Sequence, residues 1–433
     1  MSRHFWVLVH RYAGLTMAGF LTVVGLSGSI LAFRPELDAW LKPPYSVAVQ
    51  AQPMLSPLVL RERALRLAPH TRINAVDLQP KPGIAFMPNL TARTDPATQQ
   101  PYPLKPLHLN PYNGEPIAMP ETPAPTGYWP LTRHNILAFI YELHYSLVLG
   151  DIGLWLFGIT ATLWTADCFI GFYLTLPMRR KQPFAATPIA TGPTLANFWQ
   201  RWQIAWKIKW PSSKQRLHFD LHRAGGLWLW PLLLIFAWSG VAFNLNAAVY
   251  RPVMQALFEM TDFDNFPAPN LAQPRPDPAL DFTAAYQSAQ RLMAEQARLK
   301  GFTVRHEQAF SYHPANGLYQ YTVLSDRDVS AITGASHLYI DGDNGKLVRL
   351  FLPTGEKSGD TVTVWLVNLH TAQLWGLPYK LFVCLFGWGV AMLAMTGVYL
   401  WLKKRQAAQA KQKPRTAMVL FSFRALLDNL KQL

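Results

Sequence analysis

The chain has 433 residues, half of them hydrophobic and only 15% charged, with a formal net charge of +15. Ordinary soluble domains carry roughly 25% charged residues, so a wholly soluble protein is excluded. The positive charge does not mark a nucleic-acid binder either, because it is gathered beside apolar runs instead of spread over one face.

In chain order, the first apolar run covers residues 7–33 and is long enough to cross a hydrocarbon core roughly 30 Å thick. It exceeds the h-region of a signal peptide and lacks a clear small-x-small cleavage site, so domain 1–33 reads as a retained transmembrane helix. Segment 34–133 contains a helical stretch at 57–67 and a strand–turn–strand pattern around Asn113-Gly114, closed by a Pro-rich connector at 116–130. Segment 134–177 is too long for one span. Gly150-Asp151 is expected to break it into a short helix skirting the outer leaflet and a second span at 154–176.

Residues 178–217 carry eight Lys/Arg and no acid, and 198–210 is rich in Trp and Lys, which predicts an interfacial helix. A third span is expected within 218–247, with its apolar run at 227–245. Segment 248–360 follows, with a helix at 282–299 and a second hairpin around Asn344-Gly345. Segment 361–402 repeats the short helix and span, broken at Gly376-Leu377-Pro378, with the apolar run at 379–402. The tail 403–433 adds eight Lys/Arg and one acid, Asp428. Lys/Arg excess flanks spans on the cytoplasmic side, so both termini and the 178–217 loop are expected inside and the two long segments outside. Sixteen Trp, many near span ends, fit interfacial belts.

The chain also repeats itself. His10-Arg11-Tyr12-Ala13-Gly14-Leu15 returns as His222-Arg223-Ala224-Gly225-Gly226-Leu227, and the same offset carries Ser27-Gly28 onto Ser239-Gly240. A slightly longer offset carries Leu143-His144 onto Leu369-His370, Gly150 onto Gly376, Gly171 onto Gly397, Tyr173 onto Tyr399 and Arg179 onto Arg405. The fold class is therefore an α-helical membrane protein with four transmembrane helices in two pseudo-symmetric halves, plus two small α+β domains outside the membrane.

Of twelve histidines, only two pairs recur in both halves: His10 with His222, and His144 with His370. The topology puts the first pair near the inner face and the second near the outer face. Intramembrane ionisable groups are functional by default, although a lone span histidine is often a plain helix contact. Zinc or copper would want three or four protein ligands, whereas a porphyrin supplies four nitrogens itself and needs only two axial groups. The pairs therefore predict two haem b, ligated by His10/His222 and His144/His370. No Cys-x-x-Cys-His occurs, which excludes c-type attachment.

Ala13, Gly14, Gly225 and Gly226 leave room for a flat ring, and Arg11 and Arg223 are candidate propionate partners. Asp167 is the one acid well inside a span, with Leu393 at its place in the second half. It could accept a proton from a ligand imidazole, lie on a proton path, or make an ordinary inter-helix hydrogen bond. His218, whose counterpart is Trp6, reads as a supporting or interfacial residue.

These motifs, with Glu142-Leu143-His144, Asp220-Leu221-His222-Arg223, Leu369-His370-Thr371 and the two Asn-Gly hairpins, resemble the PepSY-associated transmembrane family of bacterial inner-membrane proteins, over nearly the whole chain. The resemblance implies that the outer segments are PepSY-like domains and that the haems pass electrons from the cytoplasm to a ferric siderophore in the periplasm, with no catalytic side chain. The donor must be external, because no Gly-x-Gly-x-x-Gly fingerprint is present. The alternative is a non-enzymatic membrane regulator whose PepSY domains bind peptides or proteases. Paired span histidines favour the reductase, since an anchor has no use for them.

Overall fold

The computed structural model describes residues 2–41, 45–118, 127–178, 195–264 and 266–430, with backbone only for 195–197 and 411–430. The loop stretch 179–194, which includes Arg179 of the expected repeat, and part of the Pro-rich connector lie outside the described residues. Two compact units divide the chain: Met1–Ala32, Ala138–Tyr250 and Leu381–Leu433 make a helical unit, and Phe33–Leu137 with Arg251–Lys380 make a mixed unit.

Three described helices are long and apolar enough to cross a membrane: span 1 at Arg3–Leu31, span 2 at Gly150–Thr175 and span 4 at Gly376–Ala410. Two further helices, Lys214–Trp228 and Trp230–Asn244, bent by 70° at a short break, are together long and apolar enough for a broken crossing or a re-entrant pair, and are called span 3. The sequence predicts an unbroken twin of span 1 here, and the structure departs from it at Pro231. Proline has no N–H to donate, and its ring crowds the carbonyl four residues back, so the first arm stops at Trp228 and Pro231 opens the second. The chain is therefore a multi-pass helical membrane protein with a β-containing unit.

Spans pack where side chains are smallest, since lipid gives no hydrophobic drive between helices. Span 1 meets span 4 backbone to backbone: a Cβ on Gly25 would lie 2.5 Å from the Gly387 carbonyl oxygen, and one on Gly387 would lie 2.3 Å from that of Gly25. Ser29 Oγ donates across the same contact to the Cys384 carbonyl at 2.8 Å. The start of span 1 is tied to the end of span 2, because Arg3 donates to the carbonyls of Leu176, at 3.0 Å, and Leu174. These two spans therefore run antiparallel, as the expected topology requires.

The mixed unit is built on a five-stranded antiparallel sheet in the spatial order Ala75–Asp77, Val304–His313, Leu318–Ser325, Ser336–Asp341, Leu347–Phe351. Its first strand comes from the first long segment and the other four from the second, so the two segments share one sheet. One core joins them: Ile73, Val76 and Leu109 pack with Phe310, Val323 and Ile340 under helix Phe282–Lys300. Asp281 caps that helix by accepting from the Thr283 and Ala284 amides, and Gly301 ends it in the left-handed conformation.

Both expected Asn-Gly turns form in the same way. Gly114 and Gly345 have φ of +70° and +68°, and each donates its N–H to the carbonyl four residues back, Asn110 and Asp341. A residue with a Cβ would strain both turns. The second hairpin extends into full strands, whereas the first is held only by isolated bridges such as Leu109 with Pro116.

On the sheet, His337 Nδ1 lies 3.0 Å from Thr322 Oγ1 and 3.1 Å from Gln320 Nε2. Burial pushes its pKa down to about 4 from an ordinary 6.5. The folded state thus binds this proton less tightly than the unfolded chain, so the contribution is complete above about 6.5 and is lost as pH falls towards about 4. Unfolding midpoints measured across that window are expected to fall with acidity, and less steeply in His337→Gln. Equal slopes would assign the acid sensitivity elsewhere.

Candidate functional site

His10 lies two turns into span 1, and His222 lies on the first arm of span 3. Their ring centres are 6.1 Å apart, with the planes inclined at 59°. His10 Nδ1 lies 2.9 Å from Asp167 Oδ1 on span 2, while His222 Nδ1 lies 3.0 Å from the Leu393 carbonyl oxygen and 3.1 Å from Thr396 Oγ1 on span 4. A carboxylate or a carbonyl can only accept, so Nδ1 is the donor in both contacts, and a neutral ring in that tautomer offers the lone pair of Nε2. Two lone-pair nitrogens on facing helices are what a planar cofactor with two open axial positions requires. Among the described residues no group of three or more His, Cys, Asp or Glu side chains is placed to share an ion.

The surroundings of the two rings match. A Cβ on Gly171 would lie 3.3 Å from His10 Cε1, and one on Gly397 would lie 3.3 Å from His222 Cε1, so each ring rests against a glycine of the neighbouring span. Four residues beyond each histidine, on the same helical face, Gly14 and Gly226 have nothing within 4 Å of where a Cβ would stand. Gly225, by contrast, is covered by Leu393 and Met392. Of the two repeated Gly positions near the histidines, Gly14 and Gly226 border open space.

His144 occurs near the end of helix Ile136–Ser146 and is seated at the far end of span 1. Its Nδ1 lies 2.9 Å from Ser27 Oγ, and a Cβ on Gly28 would lie 3.0 Å from its Cε1. Ser27-Gly28 is therefore a histidine seat, a role that the sequence reading did not assign, whereas Gly240 of the second copy faces Ala161. At a rise of about 1.5 Å per residue, the His10 and Ser27 levels of span 1 are about 26 Å apart, most of a hydrocarbon core. His370 closes helix Ser358–His370 of the mixed unit. The break after each short helix also recurs: Leu147, Val148 and Gly150 take positive φ, as do Ala372, Trp375 and Gly376.

The two arginines differ. Arg11, half-buried, makes no hydrogen bond or ion pair among the described residues. Arg223 is committed elsewhere, donating to Asp220 Oδ1 at 2.9 Å and to the carbonyls of Ile204 at 2.7 Å and Lys207 at 3.3 Å. Asp220, fully buried, also accepts from Arg216 Nε at 2.9 Å. His218 is no part of the pair: its Nδ1 bonds the Lys214 carbonyl at 2.7 Å and its ring lies 4.3 Å from that of Tyr399. In place of one helix over 198–210, the chain forms helix Leu195–Trp202 and a 3-10 turn at Gln203–Trp206, which bury Trp202 and Ala205 against Leu227, Phe172 and Leu176.

No curated protein matches the chain. Residues 7–404 match the family described as PepSY-associated TM region, and the chain therefore belongs to that family.

Proposed function

We propose that this is a di-haem b protein of the bacterial inner membrane that carries electrons from the cytoplasmic side to a ferric siderophore in the periplasm. The observation that carries the reading is the His10–His222 pair. Two imidazoles close together on different helices would suit an iron that offers two open positions. The pair is 6.1 Å apart. The open patches at Gly14 and Gly226 suit a flat macrocycle, and Arg11, with no partner among the described residues, suits a propionate.

His144, seated on Ser27 and Gly28, and His370 are the ligands proposed for the second haem. The matched glycine contacts and twin turns support two related halves with PepSY-like modules between the spans. The Lys/Arg excess in 178–217 and 403–433 supports cytoplasmic termini.

Haem iron, when bound, takes up and gives back one electron at a time. The protein's part is to fix the His10, His222 and His144 imidazoles through Nδ1 and to surround the inner pair with apolar spans. Each ferric ion reduced needs one electron from an external donor, and no side chain need act as nucleophile or general acid.

The test is a reduced-minus-oxidised spectrum of the purified protein, followed by iron release in vesicles. Bis-histidine b-type bands are expected, together with ferrous iron appearing outside vesicles loaded with a reductant. A colourless protein would sink the haem assignment. A coloured one that releases no iron would leave the electron acceptor wrong.

A further inference from the structure

The halves are built alike, yet the groups behind the two inner imidazoles are not. His10 is backed by a carboxylate and His222 by a neutral carbonyl and a hydroxyl. The second-half residue in Asp167's place is Leu393, and its backbone carbonyl does the holding there. Asp167 is 8% exposed, and among the described residues its side chain is hydrogen-bonded to His10 alone. A carboxylate inside a span is costly. Orientation alone does not call for it, because the neutral arrangement at His222 fixes its ring as well.

On the proposed haem reading, we infer that Asp167 is a positioning residue that also makes His10 the stronger electron donor of the pair, favouring ferric iron at the inner site. A charge-assisted hydrogen bond from Nδ1 raises the basicity of Nε2, and a more basic ligand stabilises the higher oxidation state. His144, by contrast, is backed by the Ser27 hydroxyl.

The experiment is potentiometry of the purified full-length protein with haem content measured alongside. Asp167→Asn is expected to keep two haems per chain and to raise the reduced-to-oxidised ratio of one of them about tenfold at fixed potential, a shift of about 59 mV for one electron. Asp167→Glu is expected to stay near wild type. The second haem should keep its midpoint in both variants.

If Asp167→Asn loses the inner haem, Thr396→Asp puts the question in reverse. A carboxylate added behind His222 is expected to lower that midpoint by a similar factor. Two haems with unchanged midpoints in Asp167→Asn overturn the inference, as does an unchanged or raised midpoint in Thr396→Asp. Wild-type protein without haem overturns the underlying reading instead, so the two failures are distinct.

Discussion

Replacing His10 or His222 by Ala is expected to halve the haem bound per chain, from two to one, and His144→Ala is expected to remove the other. On the proposed reading each ring would supply one ligand nitrogen to a haem iron, and Ala offers no donor atom in its place. The inner pair can be tested without touching a ligand. Gly14 and Gly226 border open space beside the two imidazoles, so Gly14→Leu or Gly226→Leu would fill it while leaving both nitrogens intact. If the space holds a macrocycle, the leucine variants lose the same haem as His10→Ala. If it is a lipid-facing notch, they keep it. A pyridine haemochrome assay reads all five proteins, and full haem in every histidine variant would end the assignment.

Much of this site was legible in the sequence, because duplication marks the residues that a symmetric ligand needs. His10 and His222 stood out among twelve histidines by recurring at one offset, and the structure brings them together. The glycines that receive their rings, Gly171 and Gly397, recurred at the other offset.

What the sequence hid is whatever breaks the repeat. Asp167 had three readings open because nothing in the second half answers to it, and the answering group is a backbone carbonyl, which carries no sequence signal. Arg223 looked equivalent to Arg11, but Asp220 binds it, and the first half has Leu8 where Asp220 stands. Ser27 was visible as half of a repeated Ser-Gly, yet a serine in a span most often bonds its own helix, as Ser27 also does to the Val23 carbonyl. The bend of span 3 was signalled by Pro231, which the likeness to span 1 outweighed. The shared sheet was beyond reach, since a three-residue strand such as Ala75–Asp77 has no periodicity to detect.

Asp220→Ala is expected to cost about 3–5 kcal/mol, the range for removing one partner of a buried ion pair. Asp220 has no exposed surface, and the Arg223 side chain is 19% exposed. Without the carboxylate, that guanidinium keeps the Ile204 and Lys207 carbonyls and the face of the Phe219 ring but no countercharge, and its Nε is already buried without a partner. Asp220 also accepts from the Lys209 backbone N–H at 3.3 Å, so its loss frees the Lys209 end of the 204–209 connection from helix Lys214–Trp228. Trypsin should then cut faster at Lys207 and Lys209, and the melting temperature should fall. His222 lies two residues further along the same helix, so weaker haem retention at the inner site is expected as well. The double variant Asp220→Leu with Arg223→Met separates charge from packing: apolar replacement of a whole buried pair is often nearly neutral, so it should melt well above Asp220→Ala. Equal melting of the two would mean that Asp220 acts by holding the loop backbone and not by neutralising Arg223.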